Sequence, residues 1–242
     1  MAELLVAEGS VQIAELAAQY HVSRETIRKD LIFLKQSGVG RRSRGGSLIL
    51  EGIAEPPLSA RSENIAAKHR VAEAAVRQIP DGATILLDTG STMNEVARLL
   101  ALRHGLTIVT NSAQITPLLA GSDNTVYALG GQVCATSLAC VGMWTLTALR
   151  TLRADIALIG TNGVLGHTGP CTSIYSEAEI KTSMVQCAKK SIVLCDGSKF
   201  REEAVIQFAD WQQIDCLITD QTAPEAELAA IRHKTTVLVA GT

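Results

Sequence analysis

The sequence has few aromatic residues, little net charge and no long hydrophobic run. Aromatic side chains make up 3% of its 242 residues whereas 47% are hydrophobic, so its core must be built mainly from Ala, Val, Leu and Ile. Such aliphatic cores suit helices packed on a parallel sheet. No apolar run approaches the ~18 residues that a membrane span needs, and the N-terminus does not resemble a signal peptide. We therefore expect a cytoplasmic protein without a membrane partner.

Motifs for metal binding, nucleotide binding and nucleophilic catalysis are also missing. The six cysteines form no CxxC pair and lie mostly among apolar residues, which indicates buried thiols in a reducing compartment. The five histidines lack metal-ligand spacing, and no Ser/His/Asp order stands out. Neither a GxGxxG sequence nor a Walker A sequence occurs. We expect no cofactor and no metal site.

Three segments differ in their patterns and predict the domain organisation. Residues 1–50 show helical periodicity and predict a small helical domain. Residues 51–66 contain two adjacent prolines and no sustained apolar period, which is typical of a stiff linker. Residues 67–242 alternate short apolar strands with helical segments, and this alternation predicts an open, mostly parallel, three-layer α/β domain.

The first segment predicts two short helices joined by a tight turn, which is the helix-turn-helix pattern. Ser10 is predicted to cap the first helix, whose apolar face contains Ile13, Leu16, Ala17 and Tyr20. Ser23 is predicted to cap the second, with Ile27, Leu31 and Leu34 facing inward and Gly38 at its end.

A basic cluster covers the second helix and the segment after it. Between Arg24 and Arg44 seven Lys/Arg residues oppose Glu25 and Asp30, so this span carries 7 − 2 = +5 and the rest of the chain −2 − 5 = −7. Alone, the helix could be a solvated face of an ordinary bundle. The arginine-rich turn GRRSRGGS (40–47) instead resembles the wing of a winged helix, where arginines contact phosphates. We predict DNA contacts from Ser23, Arg24, Thr26, Arg28, Lys29, Arg41, Arg42 and Arg44.

Polar and glycine residues follow five of the predicted strands, and parallel strands place such ends on one rim, where open α/β folds bind ligands. The loop DTGST (88–92) opens a helix, so its N–H groups and hydroxyls are suited to a phosphate, with Lys199 as the counter-charge. Each of these residues could also serve only as a turn or a helix cap. We predict effector contacts from Asp88, Thr89, Gly90, Ser91, Thr92, Asn111, Gly130, Gly131, Asn162, Glu179, Lys181, Asp196 and Lys199.

Both parts resemble the DeoR family of bacterial transcriptional regulators. The matching stretches are SRETIRKDL (23–31) with RSRGGS (42–47), and DGATILLDTGST (81–92), LTIVTNS (106–112), DIALIGTNGV (155–164) and CDGSKF (195–200). The resemblance implies a winged helix-turn-helix head and a sensor domain similar in fold to ribose-5-phosphate isomerase. It also implies a homo-oligomer that represses a carbohydrate-utilisation operon and is released by a phosphorylated sugar.

The chain departs from the family pattern at four positions. Arg44 and Ser47 stand where His and Ala are usual, Gly197 stands where Ser is usual, and Ser91 stands where a second Thr is common. We expect the phosphate loop to accept the changes at Ser91 and Gly197, because both are small. Only eight residues precede Gly9, so the first helix is expected to be short.

Two other functions fit these patterns. A sugar-phosphate isomerase-like enzyme could carry a fused DNA-binding head, because fold does not fix function. Asp196 and Glu179 are its candidate carboxylates, but no paired acid/base signature accompanies them. A sugar-phosphate-binding protein with a shortened head that no longer grips DNA is the second alternative.

Overall fold

The computed structural model describes residues 10–27, 41–42, 47–49 and 64–241. The chain divides into two compact units, Met1–Ser62 and Glu63–Thr242. The predicted contacts at Arg28, Lys29 and Arg44, and the apolar positions Leu31 and Leu34, lie outside the described residues.

The first unit contains a three-stranded antiparallel sheet and two helical segments. Its elements are β1 (Ser10–Gln12), α1 (Ile13–Gln19), a second helical segment over residues 24–27, β2 (Arg41–Arg42) and β3 (Ser47–Ile49). The sheet order is β1-β3-β2, with Arg42 paired to Leu48. The antiparallel pairing of β2 with β3 is the hairpin that the wing prediction requires.

Two details of the first helix differ from the prediction. Ser10 does not cap it, because Ser10 belongs to β1 and pairs with Ile49 of β3. Tyr20 does not face the core: its side chain is 43% exposed, because α1 ends at Gln19 and the chain turns at His21, which has a positive φ of 54°. Leu16 is buried as predicted.

The second unit is a seven-stranded parallel sheet with two small antiparallel ribbons. The sheet order is β14-β13-β11-β9-β4-β5-β6 and every pairing in it is parallel. The strands of the second unit are β4 (Thr84–Leu87), β5 (Thr107–Thr110), β6 (Thr125–Ala128), β7 (Gln132–Val133), β8 (Cys140–Val141), β9 (Ala154–Gly160), β10 (Cys171–Thr172), β11 (Ala188–Leu194), β12 (Ile206–Gln207), β13 (Cys216–Asp220) and β14 (Thr236–Ala240). The alternation of short apolar strands with helices that is predicted for residues 67–242 is present in this unit.

Helices cover both faces of this sheet, as the prediction of a three-layer fold requires. They are α2 (Ile65–Val76), α3 (Ser91–Leu100), α4 (Ile115–Leu119), α5 (Met143–Thr151), α6 (Tyr175–Cys187) and α7 (Glu225–Arg232). One core lies between the sheet and α2, α3 and α4, and the other between the sheet and α5, α6 and α7. Within β4, Ile85 and Leu87 enter the first core and Leu86 enters the second, as the alternation of a strand demands.

The α/β class is therefore confirmed, and α2 begins at Ile65, two residues before the predicted start of the domain. Five of the six cysteines are buried and Cys134 is half-buried, and none forms a disulfide. Within the described ranges, no helix is long and apolar enough to cross a membrane.

Candidate functional site

The carboxyl ends of the parallel strands share one edge of the sheet, which we call the rim: residues 88–92, 111–112, 130–131, 161–163 and 196–199. Each segment directly follows β4, β5, β6, β9 or β11 or lies within two residues of its end. The rim brings together most of the residues predicted for effector binding. Some of their polar atoms already form hydrogen bonds or ion pairs within the protein, whereas others do not.

Asp88 and Lys181 form a buried ion pair at the centre of the rim. Their side chains are 1% and 5% exposed, and the Lys181 ammonium contacts Asp88 Oδ2. The same Oδ2 accepts a hydrogen bond from the Gly160 backbone N–H at 3.0 Å, and Lys181 Nζ donates to the Gly160 carbonyl at 3.1 Å. Lys181 also lies 5.6 Å from the ring centroid of Phe208, which is within range of a cation–π contact. The pair therefore fastens the end of β4 to the end of β9 and to α6.

The loop after Asp88 leaves the start of α3 without a side-chain cap. Gly90 precedes the helix with φ 128°, a conformation that favours glycine. The Thr89 hydroxyl donates a hydrogen bond to the Ser137 carbonyl of a neighbouring loop at 2.8 Å. Thr92 is buried and Ser91 is half-buried. The first N–H groups of the ten-residue α3 thus have no side-chain acceptor, which is the arrangement that binds anions.

Asn111 holds a buried oxygen atom without a partner among the described residues. Its Nδ2 donates to the Cys140 carbonyl at 3.2 Å, whereas Oδ1 accepts no hydrogen bond although the residue is 2% exposed. The Oδ1 atom of Asn94, on α3, is in the same situation. A buried acceptor without a donor is costly, and a bound hydroxyl group would satisfy it.

The glycine pair at the end of β6 meets a packing requirement. The Thr145 hydroxyl of α5 donates to the Gly130 carbonyl at 2.7 Å. A Cβ atom on Gly131 would lie 2.3 Å from that hydroxyl oxygen and 2.5 Å from the Val141 carbonyl oxygen. No other residue fits there unless α5 moves away.

Asn162 is also engaged within the protein. Its Oδ1 accepts hydrogen bonds from the Thr172 hydroxyl at 2.8 Å and from the Ser173 N–H at 3.3 Å. This side-chain oxygen therefore orders the loop after β9 and is not free for a ligand.

Glu179 lies on the exposed face of α6, away from the buried Lys181, which corrects the expectation that both reach the rim. The buried acid is Glu177, at 3% exposure, which accepts hydrogen bonds from the Ser137 hydroxyl at 2.5 Å and the Thr172 hydroxyl at 3.2 Å. Glu177 and Lys181 are spaced i, i+4 and therefore share a helix face, whereas Glu179 is about 200° from Glu177 around the helix. That spacing would have identified Glu177 from the sequence.

Asp196 forms a second buried ion pair at the end of β11, with a lysine that the sequence analysis missed. Its Oδ1 accepts from the Ser198 N–H at 3.1 Å, the Ser198 hydroxyl at 2.5 Å and Asn64 Nδ2 at 3.3 Å. The Lys68 ammonium of α2 lies 3.1 Å from Oδ2, so the two buried side chains form an ion pair. Burial alone would raise the pKa of the Asp196 carboxyl, but the Ser198 hydrogen bonds and Lys68 outweigh it and hold that pKa below its usual value.

Lys199 is the rim cation that remains available. It is half-buried in the 3₁₀ turn Gly197–Arg201. Its backbone N–H donates a hydrogen bond to the Asp196 carbonyl at 3.1 Å. No carboxylate of the described residues lies within ion-pair distance of its ammonium group. Its neighbour Gly197 is closely packed, because a Cβ atom at this position would lie 2.3 Å from the Ala223 nitrogen.

The thiols near the rim are not suited to metal binding or nucleophilic chemistry. Burial raises the pKa of Cys171 to about 11 and, together with the charge of Asp196, that of Cys195 to about 12. Burial and the Glu177 charge also raise the pKa of Cys134. The described ranges contain no group of three His, Cys, Asp or Glu side chains that could hold a metal ion.

In the first unit, the described residues include the beginning of the predicted DNA-contacting helix. Ser23 caps it as predicted, because its Oγ accepts from the Thr26 N–H at 3.1 Å. Ser23, Arg24 and Thr26 are exposed, whereas Ile27 is 1% exposed. Arg41 and Arg42 are the two residues of β2. At the start of this helix, Ile27 therefore packs inward, whereas Ser23, Arg24 and Thr26 face solvent.

Comparison with protein families matches both units. Residues 1–52 match the model of the DeoR-like helix-turn-helix domain, and residues 63–221 match that of the DeoR C-terminal sensor domain. The chain is 32% identical to the uncharacterized HTH-type transcriptional regulator FruR of Bacillus subtilis (strain 168), over 95% of this chain and 91% of that protein. It is 27% identical to the glycerol-3-phosphate regulon repressor of Escherichia coli (strain K12), over 92% and 89% of the two chains.

A further relative is the HTH-type transcriptional regulator GlpR of Haloferax volcanii, which is 30% identical over 91% of this chain and 87% of that protein. Among solved structures, ribose 5-phosphate isomerase A of Methanocaldococcus jannaschii matches with a TM-score of 0.43 and 23% identity. That match covers 57% of this chain and spans about half (55%) of the isomerase.

Proposed function

The chain belongs to the DeoR family, and from this premise we propose that it is a DNA-binding transcriptional regulator that represses a carbohydrate-utilisation operon and is released by a phosphorylated sugar. The observation that carries the proposal is the presence of both family domains, in order, on one chain. Relatives that align over nearly their whole length are transcriptional regulators by name, and one is named a glycerol-3-phosphate regulon repressor.

The proposed DNA interface combines the helix that starts after Ser23 with the β2–β3 hairpin. Arg24 and Thr26 are exposed at the start of that helix, and Arg41 and Arg42 lie on the first strand of the hairpin. Helix residues of this kind read base edges in the major groove, and wing arginines neutralise phosphates.

The proposed effector site is the part of the rim between α3 and Lys199. The uncapped start of α3 and the Lys199 ammonium supply donors and positive charge for a phosphate. The unpaired Oδ1 atom of Asn111 supplies a buried acceptor for a sugar hydroxyl. Asp88, Lys181 and Asn162 have a supporting role in this proposal, because their polar atoms are already engaged with other groups of the protein.

The isomerase alternative receives less support from the rim. Proton transfer between carbons of a sugar phosphate requires a carboxylate or other base with a free lone pair directed at the substrate. Of the two candidate carboxylates, Asp196 is held by Ser198, Asn64 and Lys68, and Glu179 lies on the exposed face of α6. We therefore infer a binding role, and turnover of ribose 5-phosphate at ordinary enzymatic rates would overturn it.

We also propose that the protein acts as a homo-oligomer in the cytoplasm. A single winged helix offers a small interface with DNA, and joining two heads raises affinity through effective concentration. Sedimentation velocity of the full chain with and without operator DNA tests the oligomer.

DNA binding is tested with the duplex that the wild-type protein selects from a random library. We expect Arg28→Ala to weaken binding at least about tenfold, because an arginine–base contact contributes roughly 1–3 kcal/mol. Arg24→Ala should weaken it in the same direction. Arg150→Ala, which removes an exposed arginine of the sensor domain, is the matched control. Unchanged affinity in Arg28→Ala would contradict the assignment of the recognition helix.

Effector binding is tested by thermal shift with glycerol 3-phosphate, ribose 5-phosphate, fructose 1-phosphate and fructose 6-phosphate. A compound present at about 100 times its Kd adds roughly 2.7 kcal/mol of stability, which a melting curve resolves readily. The shift should disappear in Lys199→Ala and Ser91→Ala and persist in Lys234→Ala, which removes an exposed lysine far along the chain. If no phosphate stabilises the wild type, the effector site is wrong.

A further inference from the structure

The described part of the sensor domain begins at Asn64, and this residue contacts the rim. Asn64 immediately precedes α2, and its Nδ2 donates to Asp196 Oδ1 at 3.3 Å. One turn later, the Lys68 ammonium lies 3.1 Å from Asp196 Oδ2. The first turn of α2 is therefore joined by two side chains to a carboxylate next to the proposed effector site. We call Asn64, Lys68 and Asp196 the entry cluster.

Asn64 has a backbone conformation that few residues adopt. Its φ of 59° and ψ of 31° are left-handed, a region in which asparagine and glycine are the most tolerated residues. Its carbonyl accepts the first hydrogen bond of α2, from the Lys68 N–H at 3.0 Å, while its side chain reaches Asp196. The same residue thus turns the backbone into the helix and binds the rim.

The two charged members of the entry cluster, Lys68 and Asp196, are buried, so their charges depend on one another. The Lys68 side chain is 8% exposed and that of Asp196 is 1% exposed. Asp196 uses its other contacts to hold Ser198, beside Lys199. A change at Ser198 therefore reaches the Asp196 carboxylate directly, and a change at Lys199 reaches Asp196 through the backbone hydrogen bond between them. A change at Asp196 reaches the first turn of α2 through Asn64 and Lys68.

We propose that the entry cluster couples occupancy of the rim to the DNA-binding domain. A phosphate held by Lys199 brings negative charge close to Asp196, repels its carboxylate and competes for Lys68. The contacts of Asn64 and Lys68 with Asp196 then weaken, and the start of α2 shifts. Because α2 is the first described element after the DNA-binding domain along the chain, this shift biases the arrangement of that domain. The inference rests on the proposed effector function and adds its route of communication.

Allosteric coupling is measured as the ratio of operator Kd with a sugar phosphate to operator Kd without it. The probes are glycerol 3-phosphate, ribose 5-phosphate, fructose 1-phosphate and fructose 6-phosphate, each titrated separately into the full chain by calorimetry and then into the DNA-binding assay. Calorimetry reports occupancy of the rim, and the ratio reports its communication to DNA. A residue with only a structural role would alter stability without changing this ratio.

Two variants break the entry cluster and one serves as a control. Asn64→Gly keeps the left-handed backbone and removes the hydrogen bond to Asp196, so it is the milder change. Lys68→Met removes the charge and keeps a similar length of side chain. Lys189→Met breaks the exposed ion pair of Lys189 with Asp155, at the opposite end of β11. We expect the coupling ratio to fall about tenfold toward 1 in both cluster variants and to stay at the wild-type value in the control.

Each possible result either supports or overturns the coupling role of the entry cluster. If Asn64→Gly binds the same sugar phosphate as the wild type and retains the wild-type ratio, the entry cluster does not transmit the signal. If Asn64→Gly no longer binds any probe that the wild type binds, the cluster belongs to the binding surface and the coupling role is wrong. If Lys68→Met does not fold, Asn64→Gly alone decides. If the wild type itself binds none of the probes, the effector function fails before any variant is compared, and the coupling route fails with it.

Discussion

Two buried aspartate–lysine pairs stand at the carboxyl ends of strands in the same sheet, and their surroundings differ. The Asp88–Lys181 pair is enclosed by Gly160 and Phe208, which belong to the interior of the sensor domain. The Asp196–Lys68 pair joins a rim loop to the first turn of α2. The first pair therefore joins neighbouring strands, whereas the second connects a loop of the proposed effector site to the start of α2.

The difference predicts that the first pair contributes mainly to stability. Removing one member of a buried pair leaves the other charge unpaired, which costs roughly 3–5 kcal/mol. We expect Lys181→Met to lower the free energy of unfolding by about 4 kcal/mol, the largest effect among these variants. Urea unfolding measures it, and the double variant Lys181→Met/Asp88→Asn should regain part of the loss. A loss below about 1 kcal/mol would mean that Asp88 is not buried as described.

The loop beside the second pair provides the next largest effect. A Cβ atom on Gly197 would meet the backbone at Ala223 and Thr222 at 2.3 and 2.4 Å, so Gly197→Ser must displace one of these segments. We expect a destabilisation of about 3 kcal/mol, the upper end for overpacked sites. Gly166→Ala is a matched control for added bulk, because no atom lies within 4 Å of its Cβ position; its positive φ still imposes some strain. Equal melting temperatures for Gly197→Ser and the wild type would show that the loop is not closely packed.

Breaking the second pair should cost less than breaking the first. Asp196 keeps two hydrogen bonds from Ser198 when Lys68 is removed, so its charge is not left without donors. We expect Lys68→Met to lower the free energy of unfolding by about 2 kcal/mol. The same urea experiment as for Lys181→Met gives the direct comparison. Equal losses from the two lysine variants would remove the distinction between the pairs.

The smallest expected effect is on the acid dependence of stability. The folded-state pKa of Asp196 lies below the ordinary value of 3.8, so its contribution is fully present above that value and is lost as the pH falls through the folded-state pKa. Asp196→Asn should therefore flatten the decline in stability between about pH 5 and about pH 2. Lys189→Met, which breaks an exposed pair, should follow the wild-type curve more closely. A steeper acid decline in Asp196→Asn would contradict the direction of the pKa shift.

The sheet could be predicted from the sequence because a parallel strand covered on both faces is a continuous apolar run, as in β9 and β13. Asp88 and Asp196 were predictable for the same reason, since they directly follow such runs. Lys68 and Asn64 were not, because Asn64 pairs with Asp196 across 132 residues and no local pattern records this contact. The helical spacing to Lys181 identifies Glu177, and not Glu179, as the acid on that face of α6, whereas the pairing of Ser10 with Ile49, which removes Ser10 from the helix cap, is distant in sequence.

The strand order has a consequence for how the protein is made. β4 lies between β5 and β9, and β9 lies between β4 and β11, so β4 acquires both neighbours only after residue 160 has been synthesised and β9 only after residue 194. The residues of the N-terminal unit, by contrast, all precede residue 63. Because domains fold as units during translation, the DNA-binding head has its complete sequence while one edge of β4, and later one edge of β9, still lacks its partner strand. The interval in which nascent chains are most prone to aggregate therefore lies between the synthesis of β5 and that of β11.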